Sequence, residues 1–434
     1  MKRILVNLAV LIFGSVVLSS CGSYSSPSSS TSQRQSGLPF RVFVSNPLQP
    51  TSSGNFPVFN IIDASKDVLS PAAVNLSGTG PDPSLMAESP DLQKTLVFSA
   101  SNNSIAIVDN ATEGVAAAGG TPLPAITLPD FTESMLVAAA GTKAYAAVRN
   151  APIPGQTPGA VLQMDLTTGK ITATLPVPNV HYIAQSHNGN RILALSDNSN
   201  SITAIATPLI GTNTDPRTTV TGPFDNPVLA IFSPDDSTAY VLNCGPECGG
   251  MAASITVLDL NTNTPIGSNV AVSAATIGLI SGTTLYVAGT PPGQTCAGSS
   301  PATQATSCGV LSVVDLAAKT VTATAVITDG AHNRMEMGAD GQLFIGARNC
   351  TNLNITAAPA EVRGCLSIFN AQTKAVTVPP ENGDVTGIAP ITNRHVVYVC
   401  QSGEVWIYDT TTDKMQTTQV DILGQASDVK LVDR

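Results

Sequence analysis

The chain has 434 residues, with 20 Lys and Arg against 30 Asp and Glu, a formal net charge of −10. Only 12% of its residues are charged and 4% aromatic, with a single Trp. An acidic chain without a basic cluster repels phosphate backbones, which excludes nucleic acid as a partner, and one Trp argues against an open carbohydrate-stacking face.

The N-terminus, "MKRILVNLAVLIFGSVVLSSC", opens with Lys2 and Arg3 and then runs uncharged and apolar from Ile4 to Val17. That is the layout of a secretory signal, and it is shorter than a membrane span. It closes on Leu18-Ser19-Ser20-Cys21, which resembles a bacterial lipobox. The resemblance implies a lipoprotein signal peptide over residues 1–20, cleavage before Cys21, a diacylglycerol on its thiol and acylation of the new amine. An ordinary signal or anchor with an incidental cysteine is the alternative. Several acyl chains on one residue hold a protein to a bilayer far better than one. Gly22 follows where inner-membrane lipoproteins of enteric type often carry Asp, which favours an outer membrane if the source has one. Residues 21–38 read as the lipidated cysteine and a Ser-rich tether, "GSYSSPSSSTSQRQSG", too poor in apolar residues to fold. Residues 39–434 remain as one domain, expected to be monomeric, with no further apolar run long enough to cross a membrane.

From residue 41 onward one motif recurs: an apolar strand, a gap, a second strand, then Asp and a polar turn. Eight copies follow in chain order, from "RVFVSN" with "PVFNIID" through "TAYVLN" with "SITVLDL" to "VVYVCQ" with "EVWIYDT". The runs are short, rich in Val, Ile, Leu and Tyr, and bounded by turn residues, which is strand chemistry. Asp63, Asp109, Asp165, Asp259, Asp315 and Asp409 close the second strand, with Asn370 and Ala206 in the other two copies. Asp and Asn accept hydrogen bonds from amides two residues on and so start tight turns; these acids are expected to be structural. A further short strand precedes each pair, best seen in "NPVLAIFSPDDSTAYVLN". Four-strand units at this period predict an all-β fold, a β-propeller of four-stranded antiparallel blades.

"SPDDSTAYVLN", Ser233 to Asn243, followed by "SITVLDLNTNT", Ser254 to Thr264, resembles the YVTN-type β-propeller repeat and the related lactonase-like propellers. The likeness covers residues 40–434, strongly in the fifth unit and loosely elsewhere. Eight strand pairs are present against the seven blades usual for that family, so eight blades are expected and seven would require one pair to be misread. The first unit begins at its second strand, and "SDVKLVD", Ser427 to Asp433, is left over at the end. It is expected to supply the missing inner strand and close the ring.

Strand order puts the second-to-third gaps, the blade connections and the inner-strand starts on one rim. The long gaps, among them "NCGPECGGMAAS" and "RNCTNLNITAAPAEVRGC", lie there and carry six of the eight cysteines. The pairs expected are Cys244–Cys248, Cys296–Cys308 and Cys350–Cys365, as disulfides of an exported protein. Zinc or redox chemistry is the rival reading, though Cys-x3-Cys offers two ligands where structural zinc wants four. Cys400 reads as a buried small hydrophobe.

His181, His332, Asp225, Asn226, Arg334, Glu336 and Glu133 all fall near inner-strand starts, hence near the channel mouth. In lactonase-like propellers polar and metal-binding residues gather there, so the resemblance implies a divalent metal, but no full ligand set matches. His187 and His395 read as surface residues, and Trp406 as core. Hydrolase elbows, Walker loops and His-Glu-x-x-His are absent. Two functions stay open. One is a cell-envelope lipoprotein that binds a protein, glycan or small ligand through its stapled rim. The other is a lactonase-like hydrolase or isomerase with a metal at the channel mouth.

Overall fold

A computed structural model of the protein describes residues 34–434 apart from 53, 77–79, 210–214, 294–307, 351, 352, 355–360 and 363. The proposed signal peptide, Cys21 and Cys296 lie outside the described residues.

Eight antiparallel sheets form a ring, each a blade whose strands run outward from the central channel. The inner strands of blades 2 to 8 are Pro83–Glu88, Ser134–Val137, Val180–Gln185, Pro227–Phe232, Ile277–Ser281, Ala331–Met337 and Val385–Pro390. Blade 1 takes its inner strand from the other end of the chain. Asp428–Leu431 pairs with Arg41–Thr51 in the register Val42↔Leu431 to Ser45↔Asp428. The count is therefore eight, and the closure is the one the sequence predicts.

The second and third strands of each blade are apolar on both faces because each is packed against a blade on either side. Leu96, Phe98, Ile105 and Ile107 of blade 2 meet Ala144, Ala146, Leu162 and Met164 of blade 3. Eight such clusters form, one at each blade-to-blade interface. The cluster of Tyr398, Ile407, Val42, Ile62 and Val429 joins blade 8 to blade 1. Each blade thus rests on its two neighbours, and the ring has no natural starting point.

The acids that end the third strands make the expected turns. Asp63 Oδ1 accepts the Ser65 amide at 3.0 Å, and Asp315 Oδ1 accepts the Ala318 amide at 2.7 Å. Four residues after the Asp the chain takes a positive φ, at Asp67, Glu113, Gly169, Asn263, Lys319 and Asp413, the left-handed step that lets a four-residue loop reverse a hairpin.

A second closure lies beneath the paired termini. Arg41 is fully buried and pairs with both oxygens of Asp433, at 2.7 and 2.9 Å, and with Glu113 of blade 2 at 2.7 Å. The two carboxylates outweigh the burial that would discharge it and raise its pKa.

Candidate functional site at the channel mouth

Five inner strands, of blades 2, 4, 5, 7 and 8, carry a register shift at their second or third residue: Ser84, His181, Val228, Asn333 and Thr386. Such a bulge inserts one unpaired residue and re-aims the side chains beside it. All five bulges sit where the strands enter the channel from the elaborated rim.

Three of the bulged residues, Ser84, Val228 and Asn333, line a cavity of about 440 Å3. Ser84, Leu85, Phe131, Glu133, Tyr182, Val228, Leu229, Ile277, Asn333, Arg334 and Arg348 are among its walls, contributed by blades 2 to 7 and the connections leading into them. Leu85, Phe131, Leu229 and Ile277 give it apolar lining, interleaved around the ring with Glu133, Tyr182 and the two guanidiniums of blade 7.

Of the predicted residues, Glu133 and His181 meet. His181 Nε2 lies 2.6 Å from Glu133, and Nδ1 lies 2.8 Å from Asp197, which also holds Arg149 at 2.8 Å. Tyr182 stacks on the imidazole with centroids 4.0 Å apart. Burial would lower the His181 pKa, but the flanking carboxylates win and raise it. The imidazole in turn holds Glu133 below the usual carboxylate range. Burial and those two carboxylates push the Tyr182 phenol up to about 12, so it stays neutral.

Arg334 lines the cavity as expected. Its Nε donates to the Thr386 carbonyl at 2.9 Å and its Nη1 to the Asn333 carbonyl at 3.0 Å. His332 touches the cavity but is itself 4% exposed. Burial presses its pKa down to about 4, so the ring is neutral, with Nε2 donating to Thr328 O at 3.0 Å. Glu336 lies deeper in the channel, where burial raises its pKa near Lys430, Arg334 and Asp428.

Asp225 departs from the expectation. It does not line the cavity: its Oδ2 accepts the amides of Met251 and Ala252, each at 2.7 Å, and so shapes the stapled gap of blade 5. Asn226 Nδ2 donates to the Cys248 carbonyl at 3.0 Å and does the same work. A carboxylate beside a strand start here serves the loop, because the loop's free amides are nearer than the channel.

Cys244–Cys248 and Cys350–Cys365 are disulfides, each with Cα atoms 5.6 Å apart, and Cys308 is also disulfide-bonded. Cys400 is free and buried. Glu247, within the first staple, accepts the Thr290 amide of blade 6 at 2.7 Å and ties the loop to its neighbour. His187 and His395 are surface residues, each paired at 2.8 Å with an Asp of an adjacent blade, Asp236 and Asp340. Trp406 packs against the cluster between blades 7 and 8.

The sequence reading missed Arg348, Asp197, Arg149 and Tyr182. The first three share one register: they end the second strand of their blade or directly follow it. That edge adjoins the start of the inner strand in the same sheet, a relation readable only once the sheet is assembled.

A divalent metal does not fit these residues. Both ring nitrogens of His181 are taken by carboxylates, His332 is committed to a carbonyl, and no three of the described His, Cys, Asp or Glu residues converge as ligands.

No protein-family model matches the chain, and no curated protein does. Solved structures of the same fold are numerous. The chain is similar to a dihydro-heme d1 dehydrogenase, NirN, in complex with DHE, with TM-score 0.58 and 13% identity over 91% of this chain and 75% of that one. It is similar to the Dos1 propeller, with TM-score 0.56 and 11% identity over 81% and 88%. It is also similar to the periplasmic gluconolactonase PpgL of Pseudomonas aeruginosa, with TM-score 0.50 and 13% identity over 90% and 98%. At these identities the likeness is one of fold.

Proposed function

We propose that the protein is exported, anchored to the cell envelope through lipid on Cys21, and works by binding a small organic ligand at the mouth of its channel. The observation that carries the binding reading is the cavity of about 440 Å3 walled by six blades. Its size suits a small molecule, and its mixed lining is that of a ligand site. Most of its walls are strands locked by their ladders, so little ordering is needed on binding. The stapled gaps rise around it, which makes the cavity the floor of the rim expected to bind.

The lipobox-like Leu18-Ser19-Ser20-Cys21 supports the anchor. The disulfides support an oxidising compartment. The YVTN-like stretch from Ser233 to Asn243 and the propeller neighbours support a place among the YVTN-type and lactonase-like propellers.

A second reading, a hydrolase or isomerase, is favoured by one observation. Asp197 orients His181 from behind, so a ligand displacing Glu133 would meet an imidazole already placed for proton transfer. Catalysis by a metal has no support among the described residues, since they gather no ligand set.

The test fills the cavity. Leu229→Trp and Ile277→Trp each project an indole into it. Both are expected to abolish binding of a neutral apolar fluorophore such as Nile red while the protein still unfolds cooperatively. Unchanged binding overturns the mouth as the site. In bacterial cells making the full chain, Cys21→Ala is expected to move the protein from the membrane to the soluble fraction; retention overturns the anchor.

A further inference from the structure

Resting on the mouth being a binding site, we propose that its ligand is an organic monoanion, a carboxylate carried on an apolar body and gripped by Arg334 and Arg348. Arg348 ends the strand Gln342–Arg348, and its Nε is enclosed without any hydrogen-bond partner. A buried charged donor left unpaired is costly; Arg348 also lines the cavity, where an acceptor carried by a ligand can reach its guanidinium.

Arg334 belongs to the same place. In the ladder it faces Gly346, and Arg348 lies two residues further along that strand, on the same side. Such diagonal neighbours lie within reach of long side chains. Gly346 between them lets Val385 of blade 8 and the Arg334 side chain pack close: a Cβ there would come within 2.5 Å of Val385 and 3.2 Å of Arg334. The carbonyls of Thr386 and Asn333 fix the Arg334 fork from behind. Burial and the Arg334 charge lower the pKa of Arg348, as expected for cations with too little negative charge beside them.

The nearby carboxylates are committed elsewhere. Asp384 accepts the Asn349 amide at 2.7 Å, and Glu133 is bound to His181. Two planar forks facing one cavity match a carboxylate better than an ammonium pair would, since guanidinium presents parallel donors.

The rest of the cavity narrows the class. Glu133 lines it as an anion held ionised by His181, and it repels a second negative charge, so a phosphate dianion is disfavoured. Tyr182 offers a neutral phenol. Leu85, Phe131, Leu229 and Ile277 provide apolar lining for the body of the ligand.

Calorimetric titration of the folded protein with 1-naphthoate, its uncharged partner 1-naphthamide, and inorganic phosphate tests this. Naphthoate is expected to bind roughly tenfold to hundredfold tighter than the amide, as charge-assisted hydrogen bonds imply, and phosphate is expected to compete weakly. Arg348→Gln and Arg348→Lys should each remove the preference for the acid, the acid's affinity falling far more than the amide's. Equal affinity for acid and amide, both lost in Leu229→Trp, overturns the anion assignment and leaves the binding site standing. Tighter binding of phosphate overturns the monoanion. Binding of either naphthyl compound that survives Leu229→Trp overturns the site itself.

Discussion

Asp165 accepts hydrogen bonds from the amides of Thr167 and Thr168 at 2.7 and 3.2 Å, and Asn370 does the same for Gln372 and Thr373 at 3.0 Å each. The two side chains share the acceptor oxygen and differ in charge. The Thr167 hydroxyl and these amides hold the Asp165 carboxyl below its ordinary range. A carboxyl lowered by folding stabilises the protein above its unfolded pKa, and that contribution is lost as pH falls through its folded pKa. Asp165→Asn keeps the acceptor oxygen but loses the charge, so it should cost less than Asp165→Ala at pH 7 and should make stability less sensitive to acid. Asp165→Ala should cost about 1 kcal/mol at pH 7, the usual worth of such a turn bond. Urea unfolding at pH 7 and pH 3 decides it; an Asn variant as weak at pH 7 as the Ala variant would show that the charge, not the oxygen, makes the turn. This role was legible in the sequence because an Asp turn is local: its donors are two and three residues away. Asp225 was not, because its donors, Met251 and Ala252, are brought to it by a staple in another part of the blade.

At the scale of the strand, short apolar runs and turn residues carried the blade pattern, and the order of four strands placed the rim. The bulges at Ser84, His181, Val228, Asn333 and Thr386 leave no local mark, since each arises from the pairing of two strands. They decide which side chains enter the channel, and so Arg334 and His181 could be placed near the mouth but not matched with Arg348 and Asp197. The same strands carry charge inward. Glu88 ends the inner strand of blade 2 with Oε1 enclosed and unpartnered. Burial pushes its pKa up to about 8; Lys430 opposes that, and Asp428 and Glu336 add to it. For a carboxyl raised by folding, stability is complete below its unfolded pKa and is lost as pH rises through about 8. Glu88→Gln keeps the shape and removes the charge. It should stabilise the protein by about 1 to 2 kcal/mol at pH 9 and little at pH 5. Melting curves at the two pH values, parent against variant, measure it; a constant difference would mean that Glu88 does not titrate in this window.

For the whole molecule the decisive interface is the one between the ends of the chain. Residues 425–434 supply Asp428–Leu431 as the inner strand of blade 1, and Val429 and Val432 are buried there. Asp428 also reaches the neighbouring blade, accepting the Met86 amide at 3.0 Å, and the Ser427 amide donates to Ser45 O at 2.9 Å. Removing these residues exposes the channel edge of Arg41–Thr51 and takes Val429 from the cluster joining blades 8 and 1. Two buried valines account for about 3 to 6 kcal/mol. The deletion also strips Asp433 from Arg41, and breaking a buried pair by losing one partner costs roughly 3 to 5 kcal/mol. Together these approach the whole stability of an ordinary domain, about 5 to 15 kcal/mol. Each blade leans on two neighbours, so a ring opened at one seam weakens blades 1, 2 and 8 at once. Deletion of 425–434 should abolish cooperative melting or lower the midpoint steeply. Asp433→Asn keeps the strand and both valines, so it should lose only part of the ion pair and melt between the two. A truncated chain that unfolds cooperatively near the parent midpoint would mean that the seam is held by the outer strands alone and that strand pairing of the termini is dispensable.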